Sequence, residues 1–273
     1  MIEPLLLTAS PREKIWGSIE TSPWFPPSGR KIGEVWFLRE PETLPLLVKF
    51  VFTSDKLSVQ VHPGDAYAQA HENSRGKTEM WHVLRAEAGA AIAVGLTCEI
   101  PRARLREASL SGEIENLLNW VAVRPGDTIF TPPGTIHAIG PGIVLCEIQQ
   151  QSDITYRIYD YGRPRRLHLQ KALDVATPGP HPGKSAASPL ADGEWRLAAC
   201  PYFVTDLIEL TSPKQYVPAG GRLQILIAIE GGGKLGRSAF STGQAWLVPP
   251  GADRFLIQPE PKARLLRTYV PSQ

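Results

Sequence analysis

The sequence predicts an all-β protein, organised as a sandwich or barrel, and three observations support this fold class. Short apolar runs of strand length recur along the whole chain, Gly and Pro separate them, and helical periodicity is sparse. The 24 Gly and 26 Pro follow no period, which excludes a collagen-like fibre and indicates many tight turns. A chain of 273 residues is long enough for one large domain or two modest ones.

Apolar runs with strand character occur in both halves of the chain. In order, they cover 34–38, 46–53, 57–62, 79–85, 90–96, 127–131, 143–150, 154–160, 202–210, 223–229, 245–248, 254–258 and 263–269. Helical spacing of apolar residues appears in two short segments, 113–119 and 168–175. The sequence therefore predicts many strands and few, short helices.

A stretch with almost no large apolar side chain divides the chain. Residues 177–193 are rich in Pro, Gly, Ser and Ala, a composition typical of a linker or a long surface loop. We therefore expect a first domain over residues 1–176 and a second domain over residues 194–273.

A repeated pattern indicates that the two domains are related. Gly-x5-Pro-x-Gly occurs at 126–134 and again at 243–251, each time as a short strand followed by a Pro-Pro-Gly turn. Three residues after the last glycine, the first copy has His137 and the second has Arg254, and no histidine follows His181. If His137 binds a metal ion, the second domain has lost that site, and we expect it to be free of metal.

Charge and cysteine content exclude several classes of protein. Twenty-nine basic and 27 acidic residues leave a net charge of +2, which gives no electrostatic reason to expect a nucleic-acid partner. The three cysteines lie far apart without a C-x-x-C pair, as is typical of a reducing compartment. The N-terminus lacks the basic region of a signal peptide, and no apolar run approaches the roughly 20 residues that span a bilayer. We expect a soluble, cytoplasmic protein.

The segment 57–63 alternates strictly between apolar and polar residues. This period places Ser58, Gln60 and His62 on one face of a strand and apolar side chains on the other. Two interpretations remain open at this point. The polar face belongs either to an edge strand in water or to the lining of a polar cavity inside a barrel.

The next candidate strand carries a second polar face. Lys77, Glu79 and Trp81 share one side, while His82 points to the other side and is interpreted as a structural histidine. His137 follows the Pro-Pro-Gly turn at the start of a further strand. The amide of Gln60, the imidazoles of His62 and His137 and the carboxylate of Glu79 together suit a borderline divalent metal, with Zn²⁺ as the first choice.

Several motifs resemble those of type I mannose-6-phosphate isomerases of the short bacterial class. They are L-S-V-Q-V-H-P at 57–63, G-K-T-E-M-W at 76–81, P-G-T-I-H-A-I-G at 133–140, E-I-Q-Q-Q-S-D-I-T-Y-R-I-Y-D-Y-G-R at 147–163, I-G-E-V-W at 32–36 and P-L-L-V-K-F at 45–50. The segment 126–137 is also similar to the second motif of the cupin superfamily. The resemblance is dense over residues 11–175 and loose beyond them.

The resemblance implies a cupin, or jelly-roll, barrel that carries one zinc ion, followed by a second, degenerate cupin-like barrel. The implied zinc ligands are Gln60, His62, Glu79 and His137. The implied catalytic residues are Arg157, Glu147 and Lys77, and the implied contacts to the phosphate or the sugar hydroxyls are Ser58 and Arg163. The expected partner is a small phosphorylated sugar, with no nucleic acid and no membrane.

The implied reaction is the interconversion of mannose 6-phosphate and fructose 6-phosphate through an enediol(ate). Such a reaction needs a base and a positive charge near the developing oxyanion. Glu147 can supply the base, and the metal together with Arg157 can supply the positive charge. Lys77 and a metal-bound water remain alternative bases. A non-catalytic phosphosugar-binding cupin, an Fe-dependent cupin oxygenase, and a purely structural pairing of Glu147 with an arginine also remain open.

Overall fold

The computed structural model describes residues 3–191, 193–219 and 221–271. Residue 192 of the expected linker, residue 220 and the outermost residues of both expected domains lie outside the described residues. Three antiparallel sheets account for most of the described chain, and the helices are few and short. The all-β prediction is therefore confirmed.

The first half of the chain contributes twelve strands and four helices. The strands are β1 (Leu5–Leu6), β2 (Thr8–Ser18), β3 (Ile32–Leu38), β4 (Leu46–Phe52), β5 (Val59–Val61), β6 (Glu79–Ala86), β7 (Ala91–Leu96), β8 (Leu118–Ala122), β9 (Thr128–Thr131), β10 (His137–Ile139), β11 (Ile143–Gln150) and β12 (Tyr156–Tyr159). The helices are α1 (Asp65–Glu72), α2 (Arg102–Ser111), α3 (Ile114–Leu117) and α4 (Leu169–Val175).

The second half contributes strands alone among its described residues. They are β13 (Ser188–Ala191), β14 (Glu194–Ala199), β15 (Val204–Leu210), β16 (Lys214–Tyr216), β17 (Gln224–Leu235), β18 (Ser238–Ser241), β19 (Ala245–Val248) and β20 (Phe255–Tyr269). The two runs expected at 254–258 and 263–269 are parts of one long strand, β20.

Two sheets form the first barrel. The six-stranded sheet has the order β2-β3-β4-β11-β6-β9, and the five-stranded sheet has the order β12-β5-β10-β7-β8. Their inner faces share a core to which Trp81 and Leu145 contribute from one sheet and Ile92 and Val94 from the other. Because side chains alternate along each strand, the opposite faces of both sheets need cover of their own.

Helices cover the five-stranded sheet. Val59 and Val61 on β5 pack with Leu105 on α2 and Ala172 on α4 in a second buried cluster. Helix α2 was not expected from the sequence because most of its ten residues are charged or small, and its buried side is narrow. The helix expected at 113–119 is shorter than predicted, since β8 begins at Leu118 and continues the sheet.

The nine-stranded sheet of the second half covers the six-stranded sheet. Its path is β1-β19-β17-β20-β15-β14-β13, with β16 paired to β20 and β18 paired to β17. Phe50 and Phe52 on β4 share one cluster with Ile225 and Ile227 on β17. The other face of this sheet encloses its own core around Leu226 and other side chains. The register of the long β17 against β20 shifts twice, between Ala228 and Glu230 and between Gly231 and Gly233.

Both copies of the repeated pattern adopt the same local structure. Gly126 and Gly243 have φ of 92° and 88°, and Gly134 and Gly251 have φ of 85° and 76°. Between these glycines lie the four-residue strands β9 and β19. A side chain would be strained at such positive φ values, so the glycines explain why the pattern recurs.

The described part of the expected linker lies against both halves rather than free. Leu96 N donates to Gly179 O at 2.8 Å, and Ser185 N donates to Thr128 O at 2.8 Å. Residues 188–191 then form β13, which pairs with β14. The division into two domains at this segment stays a prediction. No helix among the described residues is both long and apolar enough to cross a membrane.

Candidate active site

The polar face of β5 lies inside the first barrel. β5 is an interior strand between β12 and β10, so the edge-strand interpretation is wrong and the cavity interpretation is confirmed. A cavity of about 270 Å³ opens between the two sheets. Its lining includes five basic residues, Lys14, Lys49, Lys77, Arg157 and Arg165. It also includes four acidic residues, Glu34, Glu79, Glu147 and Asp153.

Two histidines and a glutamate converge beside this cavity. Nε2 of His62 lies 3.4 Å from Glu79 Oε1, and Nε2 of His137 lies 3.5 Å from the same oxygen. One donor atom from each residue lies within 4.8 Å of the others, and all three side chains are buried. The side-chain amide of Gln60 lies 3.1 Å from His137 Nε2, because β5 and β10 align these two residues across the sheet.

Backbone carbonyls orient both imidazoles. Nδ1 of His62 lies 2.8 Å from Ile154 O, and Nδ1 of His137 lies 2.9 Å from Thr135 O. These contacts favour a proton on Nδ1 and leave Nε2 of each ring unprotonated toward Glu79. Burial lowers the pKa of His62, with Lys77 adding to the effect, and burial lowers the pKa of His137 despite Glu79. Neutral imidazoles are the form that binds metals.

The residues fit a divalent metal ion. Both carboxylate oxygens of Glu79 are buried, and among the described residues neither accepts a hydrogen bond of good geometry, although Lys77 Nζ lies 3.2 Å from Oε2. A buried carboxylate that lacks hydrogen bonds is costly unless a cation compensates it. Two imidazoles and a carboxylate from three strands are a common donor set for a divalent metal.

A lysine and a second glutamate continue the cluster into the cavity. Lys77 Nζ lies 3.2 Å from His62 Nε2 and 3.5 Å from Glu147 Oε1. Burial raises the pKa of Glu147 and Glu79 adds to it, against the ammonium groups of Lys49 and Lys77. Burial disfavours the charged form of Lys77, but Glu79 and Glu147 outweigh it and raise the pKa of Lys77. Lys77 is therefore an ammonium, while Glu147 is a carboxylate of increased basicity.

Arg157 lies next to the same cluster. The register of β12 and β5 aligns Arg157 with Gln60. Its Nη1 donates to Arg166 O at 2.7 Å, while its Nε is buried without a hydrogen-bond partner. In the described ranges, no carboxylate oxygen lies within 4.0 Å of the Arg157 guanidinium. Glu147 pairs with lysines instead, so the structure does not show the Glu147–Arg157 ion pair that the sequence left open.

The two expected substrate contacts differ in their positions. Ser58 lines the cavity, and its Oγ donates to Gln60 Oε1 at 3.3 Å. Arg163 is not among the residues of the described chain that line the cavity, since its guanidinium binds Asp160 at 2.7 Å and faces Asp55 at 3.5 Å. Its assignment as a substrate contact stays a prediction.

Sequence reasoning missed several basic and acidic residues that line the cavity. Lys49 is fully buried in β4, where it lies 3.8 Å from Glu147 Oε1 and 4.0 Å from Asp153 Oδ1. A lone lysine within the apolar run 46–52 was a usable signal, because a buried ammonium needs anionic partners. Lys14 and Arg165 carried no such signal, because neither lies within an apolar run.

Glu34 interacts with two of these lysines, Lys14 and Lys49. Its Oε2 lies 3.1 Å from Lys14 Nζ and accepts a 2.9 Å hydrogen bond from Trp36 Nε1. Burial opposes ionisation of this carboxyl, but the ammonium groups of Lys49 and Lys14 lower its pKa from 4.5 to about 2. The folded protein therefore stabilises the ionised form of Glu34 relative to the unfolded chain.

Glu34→Gln is expected to change the acid sensitivity of the protein. A pKa that folding lowers contributes stability above the unfolded value of 4.5, and this contribution is lost as the pH falls toward about 2. The expected contribution is about 3 kcal/mol at neutral pH. Urea unfolding at several pH values from 7 to 3 measures it. The difference between wild type and variant should shrink with falling pH, and a constant difference would contradict this account.

Curated relatives and solved structures resemble the chain, although no protein-family model matches it. A mannose-6-phosphate isomerase of Streptococcus mutans is 45% identical over 141 residues, which is 50% of this chain and 44% of that protein. A putative mannose-6-phosphate isomerase of Bacillus subtilis, YvyI, is 33% identical over 216 residues, which is 64% of this chain and 68% of that protein. In sequence, the chain spans about half the length of the first curated relatives that it matches.

The similarity of structure extends further than the similarity of sequence. The crystal structure of the mannose 6-phosphate isomerase from Bacillus subtilis superposes with a TM-score of 0.87 and 27% identity. The superposition covers 97% of this chain and 99% of that one. The cupin fold expected for the chain is confirmed by this likeness.

Proposed function

Because the chain belongs to the mannose-6-phosphate isomerase family, we propose that it interconverts mannose 6-phosphate and fructose 6-phosphate. One observation carries the proposal. A buried His62–Glu79–His137 group that fits a metal borders a cavity with a basic carboxylate, Glu147, and five cationic side chains. Five basic residues against four acidic ones, together with a divalent cation, would favour an anionic substrate such as a sugar phosphate.

We propose one Zn²⁺ per chain as the cofactor. Gln60, His62, Glu79 and His137 would hold it, and it would supply positive charge to a developing oxyanion. Within the described residues, His62, Glu79 and His137 are the one group of three acidic, His or Cys side chains close enough to share an ion. The metal-free second domain stays a prediction.

Glu147 is the proposed base. The reaction takes a proton from C2 of the aldose and returns it to C1, and the hydroxyl proton moves from O2 to O1. Between these steps the electron pair of the broken C2–H bond lies in an enediol(ate). Glu147 Oε1 is buried without a hydrogen-bond partner, and its raised pKa brings its basicity toward neutral pH. Lys77, whose pKa is raised, is protonated and therefore serves better as a positive charge than as a base.

Arg157 and Ser58 complete the proposed site. The unpartnered Nε of Arg157 can donate to the oxyanion of the enediolate, which exists only while the proton is on the base. The hydroxyl of Ser58, beside Gln60, can bind a sugar hydroxyl.

The three free cysteines, Cys98, Cys146 and Cys200, support the expected cytoplasmic, reducing environment.

A coupled assay with metal analysis tests the proposal. We expect mannose 6-phosphate to be converted to fructose 6-phosphate, one zinc ion per chain, loss of activity on chelation, and recovery with Zn²⁺. The same reaction in D₂O should place deuterium on carbon, because the proton passes through Glu147. A metal-loaded protein that does not isomerise mannose 6-phosphate would refute the proposed activity, and two tightly bound ions per chain would refute the metal-free second domain.

A further inference from the structure

One buried carboxylate, Asp160, holds two guanidinium groups. Asp160 follows β12 and is 2% exposed. Arg163 donates to its Oδ1 from Nη2 at 2.7 Å and from Nε at 3.1 Å. Arg165 donates from Nε to Oδ2 and from Nη2 to Oδ1, both at 2.6 Å. Such paired, charge-assisted bonds fix the orientation of both side chains.

The two arginines differ in which of their guanidinium nitrogens remain available to a ligand. Arg163 uses its remaining Nη1 toward Asp55 Oδ2 at 3.5 Å, and its guanidinium stacks 5.2 Å from the centroid of the Tyr161 ring. Arg165 lines the cavity, and its side chain is 26% exposed. Its hydrogen bonds within the described chain use Nε and Nη2, so Nη1 remains for a ligand.

A third guanidinium leaves positive charge in excess. Arg157 lines the same cavity, and its backbone oxygen accepts from His168 N at 2.8 Å in the segment that carries Arg165. Burial lowers the pKa of Arg157, and the nearby charge of Arg165 lowers it further. Among the described residues, Asp160 is the one buried carboxylate that pairs with any of these three guanidinium groups, so an additional anion would stabilise the three arginines.

The positions of the two cavity arginines indicate which end of a sugar phosphate each would meet. Arg157 is aligned with Gln60, beside the proposed metal ligands. Arg165 follows a turn after β12 and is partly exposed to solvent. A phosphate dianion is strongly hydrated, and Arg165, which keeps Nη1 for a ligand and is partly exposed, can bind it in contact with water, while Arg157 remains beside the reacting carbons.

We propose that Arg165 binds the phosphate group of the substrate and that Asp160 is a positioning residue that holds Arg165 at the cavity wall. This inference rests on the proposed function for the identity of the substrate. It assigns the phosphate contact to Arg165 instead of Arg163, whose nitrogens are already occupied. It also separates the two cavity arginines, with Arg165 acting in binding and Arg157 in the chemical step.

Arg165→Ala tests the phosphate contact, with Arg166→Ala as the matched control. Arg166 is exposed and does not line the cavity, and its alanine variant loses the same charge one residue away. We expect Arg165→Ala to raise the KM for mannose 6-phosphate about 10- to 100-fold, with kcat within about twofold. Arg165→Lys should recover part of the loss, because it keeps the charge but not the planar fork.

Asp160→Asn tests the positioning role. The amide cannot bind two guanidinium groups as a carboxylate does, so KM should rise while Arg165 itself is intact. Asp160→Glu, which keeps the charge, should recover more of the wild-type KM than Asp160→Asn does. If Asp160→Asn lowers kcat and leaves KM unchanged, the positioning role is wrong. Should the Asp160 variants fail to fold, the Arg165 variants alone decide the phosphate contact.

Calorimetry with inorganic phosphate separates this inference from the proposed function. Wild type and Arg166→Ala should bind phosphate, and Arg165→Ala should bind it at least about tenfold more weakly. An inactive wild type whose phosphate binding still depends on Arg165 would refute the isomerase and keep the anion subsite. An active wild type whose KM and phosphate affinity survive Arg165→Ala, or fall more in Arg163→Ala, would overturn the assignment to Arg165.

Discussion

Alanine at His62 or at His137 is expected to remove the metal ion and the isomerase activity together. Each imidazole presents an unprotonated Nε2 to Glu79 at 3.4–3.5 Å, so each variant loses one donor of the proposed zinc site. Loss of a residue that only orients a ligand already costs about 10- to 100-fold in metal affinity. Loss of the ligand itself should cost more, and zinc per chain after dialysis measures it.

His82→Ala is the control for these two variants. His82 lies on the same strand as Glu79 but on its opposite face, where Nδ1 lies 2.9 Å from Thr128 Oγ1. Burial lowers the pKa of His82 to about 4, so alanine removes a neutral, structural side chain. We expect zinc content to remain normal, with some loss of thermal stability. If His82→Ala loses zinc while His137→Ala retains it, the assignment of faces on β6 is wrong.

Arg157→Ala is expected to lower kcat about 10²- to 10³-fold with normal zinc content, because the oxyanion that it stabilises develops only during the reaction. Arg157 lines the cavity, and its Nε is buried without a partner, so Nε has no bond within the protein to break before it donates to the substrate. Steady-state kinetics with mannose 6-phosphate, together with zinc analysis of the same sample, provide the measurement. Arg157→Lys should recover little, since an ammonium lacks the directed Nε–H.

Two other results would assign Arg157 a different role. An increase in KM at unchanged kcat would make Arg157 a phosphate contact, a role that we assign to Arg165. Lower thermal stability with full activity in the folded fraction would make it structural, in agreement with its bond to Arg166 O. A variant that is fully active at saturating mannose 6-phosphate would refute the catalytic role.

Strand patterns in the sequence were sufficient to predict the faces of the candidate site. The alternation in 57–63 and the spacing of Glu79 and His82 depend on neighbouring residues of one strand, and side-chain direction in a strand has a period of two. The structure has Gln60 and Glu79 facing the cavity and His82 facing away, as this period requires. The positive φ values of Gly126 and Gly134 likewise follow from the turn residues themselves.

The sequence by itself determined the all-β fold, the faces of the strands and the motifs that resemble one enzyme family. The tertiary structure decided which charges meet: Lys49 with Glu147 across two neighbouring strands, and Glu34 with Lys14 in the same sheet. It also decided that Arg165, not Arg163, reaches the cavity, because both follow a turn where no two-residue period applies. Contacts between residues that are distant in the chain depend on register and sheet packing, which a local pattern does not contain.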